Sequence, residues 1–192
     1  MYFGLLRGLA CAASVALPTM VFAQDEEGSR NRVGAHTDWS VFEAESPKQC
    51  WSVSSPKEIS NTQDGREVAV RRGEILFFVS FIPEADVNSQ VSFTGGYPFR
   101  PGSTVTLTVG SESFDLFTVP EDDPDTTVSE DEMAWAKDAT DDAKIIAAMK
   151  AGAEAKLIGF SARGTRTEDT FSLFGFTAAV EEAENRCADS PS

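Results

Sequence analysis

Histidine is nearly absent: His36 is the only one in 192 residues. Nucleophilic triads that place an imidazole between Ser or Cys and an acid therefore have no base to use. Zinc centres built from clustered His and Cys are excluded on the same ground. His36 itself sits in a polar stretch and reads as solvated polarity. Cysteine is scarce too, with Cys11, Cys50 and Cys187 the whole supply. Basic residues are outnumbered, 16 Lys and Arg against 31 Asp and Glu, for a formal net charge of −15. That balance disfavours nucleic acid and anionic membrane surfaces as partners. Gly-rich phosphate cradles are missing: Gly95-Gly96 opens a tight turn with no helix N-terminus behind it.

What the chain does have begins with an export signal. Arg7 leads into an apolar run from Leu9 to Phe22, and Val21-Phe22-Ala23 gives the small-residue pattern cut by a signal peptidase, here between Ala23 and Gln24. The run has about 14 residues, short of the ~20 a spanning helix needs. Cys11 does not read as a lipid anchor, because Gly8 precedes it by three residues and little apolar chain comes before. No later stretch could span a bilayer. Removal of residues 1–23 leaves 169, enough for one domain with its own core, and takes away only Arg7, so the charge becomes −16. Cys50 and Cys187 then remain as an even pair in an oxidising compartment, and a disulfide between them is expected.

Residues 24–38 are polar and aperiodic and read as a disordered leader, as do 188–192 as a tail. The domain is expected over 39–187. Strands are expected at Trp39–Phe42, Cys50–Val53, Glu67–Arg71, Ile75–Ile82, Gln90–Thr94, Thr104–Val109, Ser113–Thr118, Ala155–Ser161 and Thr170–Phe174. Ile75–Ile82 is apolar on both faces and reads as a central strand covered on both sides. Asn61 to Gly65 reads as a polar turn. A helix capped by Thr140 carries Ile145, Ile146 and Met149 on one stripe and stops at Gly152. A second, about Thr177 to Arg186, places Val180, Ala183 and Cys187 on one face. The fold class is mainly β (α+β): a β-sandwich or partly closed barrel of eight or nine short strands, two helices packed on it, closed by one disulfide.

Three segments stand out chemically. Residues 119–132 hold seven acids, two prolines and no base, and read as a solvated loop insertion. Asp123, Asp125 and Asp131 fall at calcium-loop positions one, three and nine. Val128 replaces the turn glycine and Ala134 the bidentate Glu, so no metal site is expected. Paired carboxylates could serve a glycosidase, but nothing in the sequence pairs them in space. The run Gly95-Gly96-Tyr97-Pro98-Phe99-Arg100-Pro101-Gly102 has the make-up of a contact loop, with Tyr97, Phe99 and Arg100 as candidates. The plainer alternative has Tyr97 and Phe99 plugging the end of the fold. Arg163 and Arg166 concentrate positive charge near Glu168 and Asp169, and either bind an anionic group or pair with those acids or with the acidic loop.

The chain resembles the invasion-associated locus B family of exported bacterial proteins over about Trp39 to Cys187. The likeness is carried by Pro47-Lys48-x-Cys50-Trp51-Ser52-Val53, Val70-Arg71-Arg72-Gly73, and Val91-Ser92-Phe93-Thr94-Gly95-Gly96-Tyr97-Pro98-Phe99. It continues through Ala134-Trp135, Ala148-Met149-x-x-Gly152, Arg163-Gly164-Thr165 and Asp169-Thr170-Phe171-Ser172-Leu173-x-Gly175-Phe176-Thr177-Ala178-Ala179. The resemblance implies a periplasmic or surface-associated β-rich protein, linked in some pathogens to host-cell entry, with no established enzymatic activity and no cofactor. Between Phe117 and Ala134 the acidic insert lengthens a link that is short in the family, which is ill suited to adhesion to negatively charged cells. The first functional expectation is a non-enzymatic periplasmic or envelope-associated binding protein whose partner is a protein or envelope component. The alternatives are a carboxylate-dependent hydrolase of an envelope polymer and a partner or inhibitor of another exported protein.

Overall fold

Alternation of apolar and polar residues lays down one antiparallel sheet. A computed structural model describes residues 31–119 and 130–188. The expected signal segment, the Ala23–Gln24 cleavage point, residues 24–30, the middle of the acidic insert and the 189–192 tail lie outside the described residues. The strands are β1 (Arg32–His36), β2 (Trp39–Glu45), β3 (Lys48–Ser54), β4 (Glu58–Gln63), β5 (Arg66–Glu67), β6 (Leu76–Ile82), β7 (Val87–Thr94), β8 (Thr104–Val109), β9 (Glu112–Thr118), β10 (Met133–Trp135), β11 (Glu154–Phe160) and β12 (Arg166–Ser172). Helix α1 spans Ala139–Ala151 and α2 spans Phe176–Ala188. Their order across the sheet is β1-β2-β3-β6-β7-β10-β9-β8-β11-β12-β4-β5.

The sheet cannot be flat. β6 and β12 are six strand spacings apart in that order, about 29 Å at the usual inter-strand distance. Yet Phe77 of β6 and Phe171 of β12 have ring centroids 5.5 Å apart. The sheet therefore curls until its inward side chains meet. Trp39, Phe77, Phe93, Leu107, Leu116, Leu157 and Phe171, each 1% exposed or less, form one continuous core. In place of eight or nine strands in a sandwich or barrel, the described residues form twelve in a single curled sheet.

The helices complete that core. α2 turns Phe176, Ala179, Val180, Ala183 and Cys187 inward, and Phe176 meets the edge of Trp39 at 4.8 Å. The expected disulfide is present: Cys187 bonds Cys50 of β3, with Cα atoms 5.8 Å apart. α1 buries Ile145 and Met149 of its expected stripe together with Ala148, while Ile146 is only half-buried. Its cap is Asp138, not Thr140: the Asp138 carboxylate accepts the N–H groups of Thr140 and Asp141 at 2.9 and 3.1 Å. Asp138→Ala should destabilise the protein by about 1 kcal/mol in urea unfolding, the usual loss when an N-cap acceptor is removed.

Four expectations need correction. Residues 31–38 are not leader, since β1 pairs with β2 and the His36 Nε2 lies 2.6 Å from Glu182 of α2. β1 is a short, largely exposed edge strand joined to β2 by a two-residue turn, and the residue that fixes its end, Glu182, is remote in sequence. β4, β5 and β10 are likewise polar or short, and the expected turn at Asn61–Gly65 begins inside β4. The strand expected at Glu67–Arg71 stops at Glu67, because Arg72 is drawn inward and Val70 remains 42% exposed. β6 is covered on one face only: Phe77, Val79 and Phe81 are buried, while Leu76, Phe78 and Ile82 are half-exposed.

Candidate functional site

The link between β5 and β6, the loop after β7 and the turn between β11 and β12 meet around one buried ion pair. Asp169 on β12 is fully buried, and its two oxygens accept from the Arg72 guanidinium at 2.7 and 2.6 Å. The Arg72 Nε–H donates to the Gly95 carbonyl at 2.8 Å. Burial pushes the Asp169 carboxyl up, against the pull of its two Arg72 bonds. The Gly73 N–H donates to the Gly96 carbonyl at 2.8 Å, and a Cβ on Gly96 (φ +68°) would stand 2.7 Å from Gly73 backbone. Only glycine fits that crossing, which locks the Arg71–Arg72 segment against the loop.

Tyr97 lies over this pair, with the Arg72 guanidinium 4.9 Å from its ring centre and its hydroxyl 2.6 Å from the Thr167 hydroxyl. Desolvation pushes the Tyr97 phenol up to about 12, so it stays neutral. Phe99, 3% exposed, packs on Phe93 at 6.0 Å and on Tyr97 at 4.9 Å. Phe99 is therefore a core plug and not a contact residue, and Tyr97 is mostly committed to the frame. Arg100 is exposed, with its guanidinium 5.4 Å from the Phe160 ring centre.

Two of the segments that stood out in the sequence are bonded to each other. The Arg100 N–H donates to the Phe160 carbonyl and the Ala162 N–H to the Pro98 carbonyl, both at 2.9 Å. Arg163 sits in the turn so held, and the Arg100 guanidinium comes within 4.0 Å of where a Cβ on Gly164 would stand. Arg166 does not join them; it pairs with Glu168 at 2.8 Å. The end of the acidic insert is pinned here as well: Gly95 and Phe99 donate to the Glu132 and Asp131 carbonyls at 3.2 and 2.8 Å. Residues 130–132 thus belong to the frame and not to a free loop.

Between these segments lies a pocket of about 290 Å³, walled by Arg71, Tyr97, Pro98, Glu132, Arg163 and Thr165 among others. The sequence reading missed Arg71, taking it for the end of a strand, and Arg72 just beyond it. The doublet next to Gly73 was the available signal, since glycine beside charge marks a turn more often than a strand. A larger groove of about 600 Å³ runs over the outer face of β2, β3 and β6, floored by Phe42, Trp51, Val53, Leu76 and Phe78. There Phe42 and Trp51 stack at 5.5 Å, which accounts for the apolar outward face of β6. Among the described residues, no group of three or more His, Cys, Asp or Glu is placed to hold a metal ion. No helix among them is long and apolar enough to cross a membrane.

Comparison with known proteins follows the same lines. The family model for invasion associated locus B (IalB) protein matches residues 39–184. A crystal structure of invasion associated protein B from Bartonella henselae is similar with a TM-score of 0.50 at 19% identity, covering 78% of this chain and 94% of that one. At that identity the likeness speaks for the fold. No curated protein matches the chain.

Proposed function

This chain belongs to the invasion associated locus B (IalB) family, and from that premise we propose that it is a non-enzymatic, envelope-associated binding protein. The Cys50–Cys187 bond supports work outside the cytoplasm, where such bonds form and persist. The observation that carries the reading is the pocket between the 95–102 loop and the 161–165 turn. It is built on a rigid, buried polar frame, yet presents two exposed arginines, Arg71 and Arg163, at its wall. Binding residues held on loops by a stiff scaffold are the common arrangement for recognition. A hydrolase would need two working carboxylates facing a cleft. Among the described residues Glu132 is the only carboxylate on the pocket wall, and Asp169 is sealed beneath Arg72.

The contact residues of the proposal are thus Arg71, Arg163 and Arg100, with Tyr97 and Phe99 as their support. Reversing two exposed charges, Arg71→Glu with Arg163→Glu, should leave the circular dichroism unchanged. It should abolish recovery of the partner that the wild-type mature chain captures from periplasmic extract. Full recovery by a folded double variant would place the contact surface elsewhere and overturn this reading.

A further inference from the structure

We propose that the pocket is an oxyanion site, in which Arg71 and Arg163 clasp a single carboxylate or phosphate group of the bound partner. This rests on the recognition reading and specifies its chemistry.

The first support is how positive charge is spent in this protein. Lys48, Lys57, Arg72, Lys144, Lys150, Lys156, Arg166 and Arg186 each pair with a carboxylate. With 31 acids in the chain, partners are plentiful. Arg71 and Arg163 nonetheless have no ion pair or side-chain hydrogen bond among the described residues, and both line the same pocket. Arg32, Arg66 and Lys137 also lack carboxylate partners there, but none of them lines it. Arg100, beside Gly164, adds a third guanidinium near Arg163.

The second support is the electrostatics of the floor. Arg72 and Asp169 cancel each other, and Tyr97 stays neutral, so among the described residues nothing below Arg71 and Arg163 offsets them. Thr165, whose hydroxyl makes no hydrogen bond among the described residues, adds a donor at the wall. Guanidinium groups suit planar carboxylates and phosphates, which they hold through paired N–H donors. A volume of about 290 Å³ accommodates a chain end or a small acid, with the rest of the partner outside.

Glu132 is the opposing charge on the wall, and it makes the proposal testable in both directions. Its role in the frame is carried by its backbone carbonyl, which Glu132→Gln leaves in place. The mature chain, labelled with ¹⁵N, is titrated by NMR with inorganic phosphate and separately with acetate at constant ionic strength. Saturable shifts in the Gly96, Arg163 and Gly164 amides are expected with at least one of the two anions. A response to phosphate alone assigns a phosphate group, and a response to acetate alone assigns a carboxylate. Arg71→Gln with Arg163→Gln should weaken binding at least about tenfold, the loss of one charge-assisted hydrogen bond or more. Glu132→Gln should tighten it. No saturable response in the wild type, or an equal response in the arginine double variant, overturns the oxyanion site. If partner capture still depends on Arg71 and Arg163 in that event, the recognition reading stands without it.

Discussion

Reducing the Cys50–Cys187 bond is expected to lower stability by about 4–5 kcal/mol, the chain-entropy value for so long a loop. The bond joins positions 137 residues apart, so it constrains nearly the whole domain in the unfolded state. For a domain of this size that corresponds to a fall in melting temperature of roughly 10–20 °C. The protein should still fold when reduced, because the helix it ties down has its own anchors. Phe176, Ala179, Val180 and Ala183 of α2 are all buried, and Phe176 sits against Trp39. Thermal melts with and without reductant, and of a Cys50→Ala/Cys187→Ala variant, measure the effect. A loss below about 1 kcal/mol would mean that reduction only frays the last turn of α2, leaving the unfolded ensemble's entropy out of the account.

How far the sequence could be read depends on where each residue's partners lie. β6 and α2 were legible because their apolar spacing is local, and local spacing survives folding. The cysteine pair was legible because parity and compartment left no third thiol to compete. β4 was not, since its polar residues gain meaning only from β12, about a hundred residues away; nor was β1, which is short and largely exposed and meets Glu182 from the far end of the chain. The same reason hid the site. Tyr97 and Phe99 had two readings, contacts or the plainer one of plugs, until Phe93 and Thr167 were seen beside them. Arg163 and Arg166 are three residues apart and looked equivalent. The turn ends between them, so Arg166 enters β12 and meets Glu168 while Arg163 stays at the pocket. Four of the segments that carry the family resemblance, around Arg72, Gly95, Arg163 and Asp169, converge on one point that no single segment announces.

That point predicts the other large effect. Arg72→Met should destabilise the protein by about 3–5 kcal/mol, the cost of leaving a buried charge without its partner. Methionine fills similar space, so the loss comes from Asp169, which keeps no cation within reach, and from the Gly95 carbonyl, which loses its donor. The deficit should also depend on pH in a definite direction. Without Arg72, burial raises the Asp169 carboxyl further above its unfolded value near 3.9, so the folded state holds a proton that the unfolded state releases. Stability then falls as pH rises through that interval. The difference from wild type should therefore be smallest below about pH 4, where the carboxyl is protonated in both states, and largest near neutrality. Arg72→Lys should recover little, because an ammonium cannot make the two parallel bonds to Asp169 and the third to Gly95. Removing the charge at both ends, Arg72→Met with Asp169→Leu, should restore most of the loss, since a buried pair replaced by apolar groups of similar volume is often neutral. Urea unfolding of the three variants from pH 4 to pH 8 decides it. A single variant that loses under about 1 kcal/mol, with no pH dependence, would show that water reaches Asp169 and that the pair does not hold the three segments together.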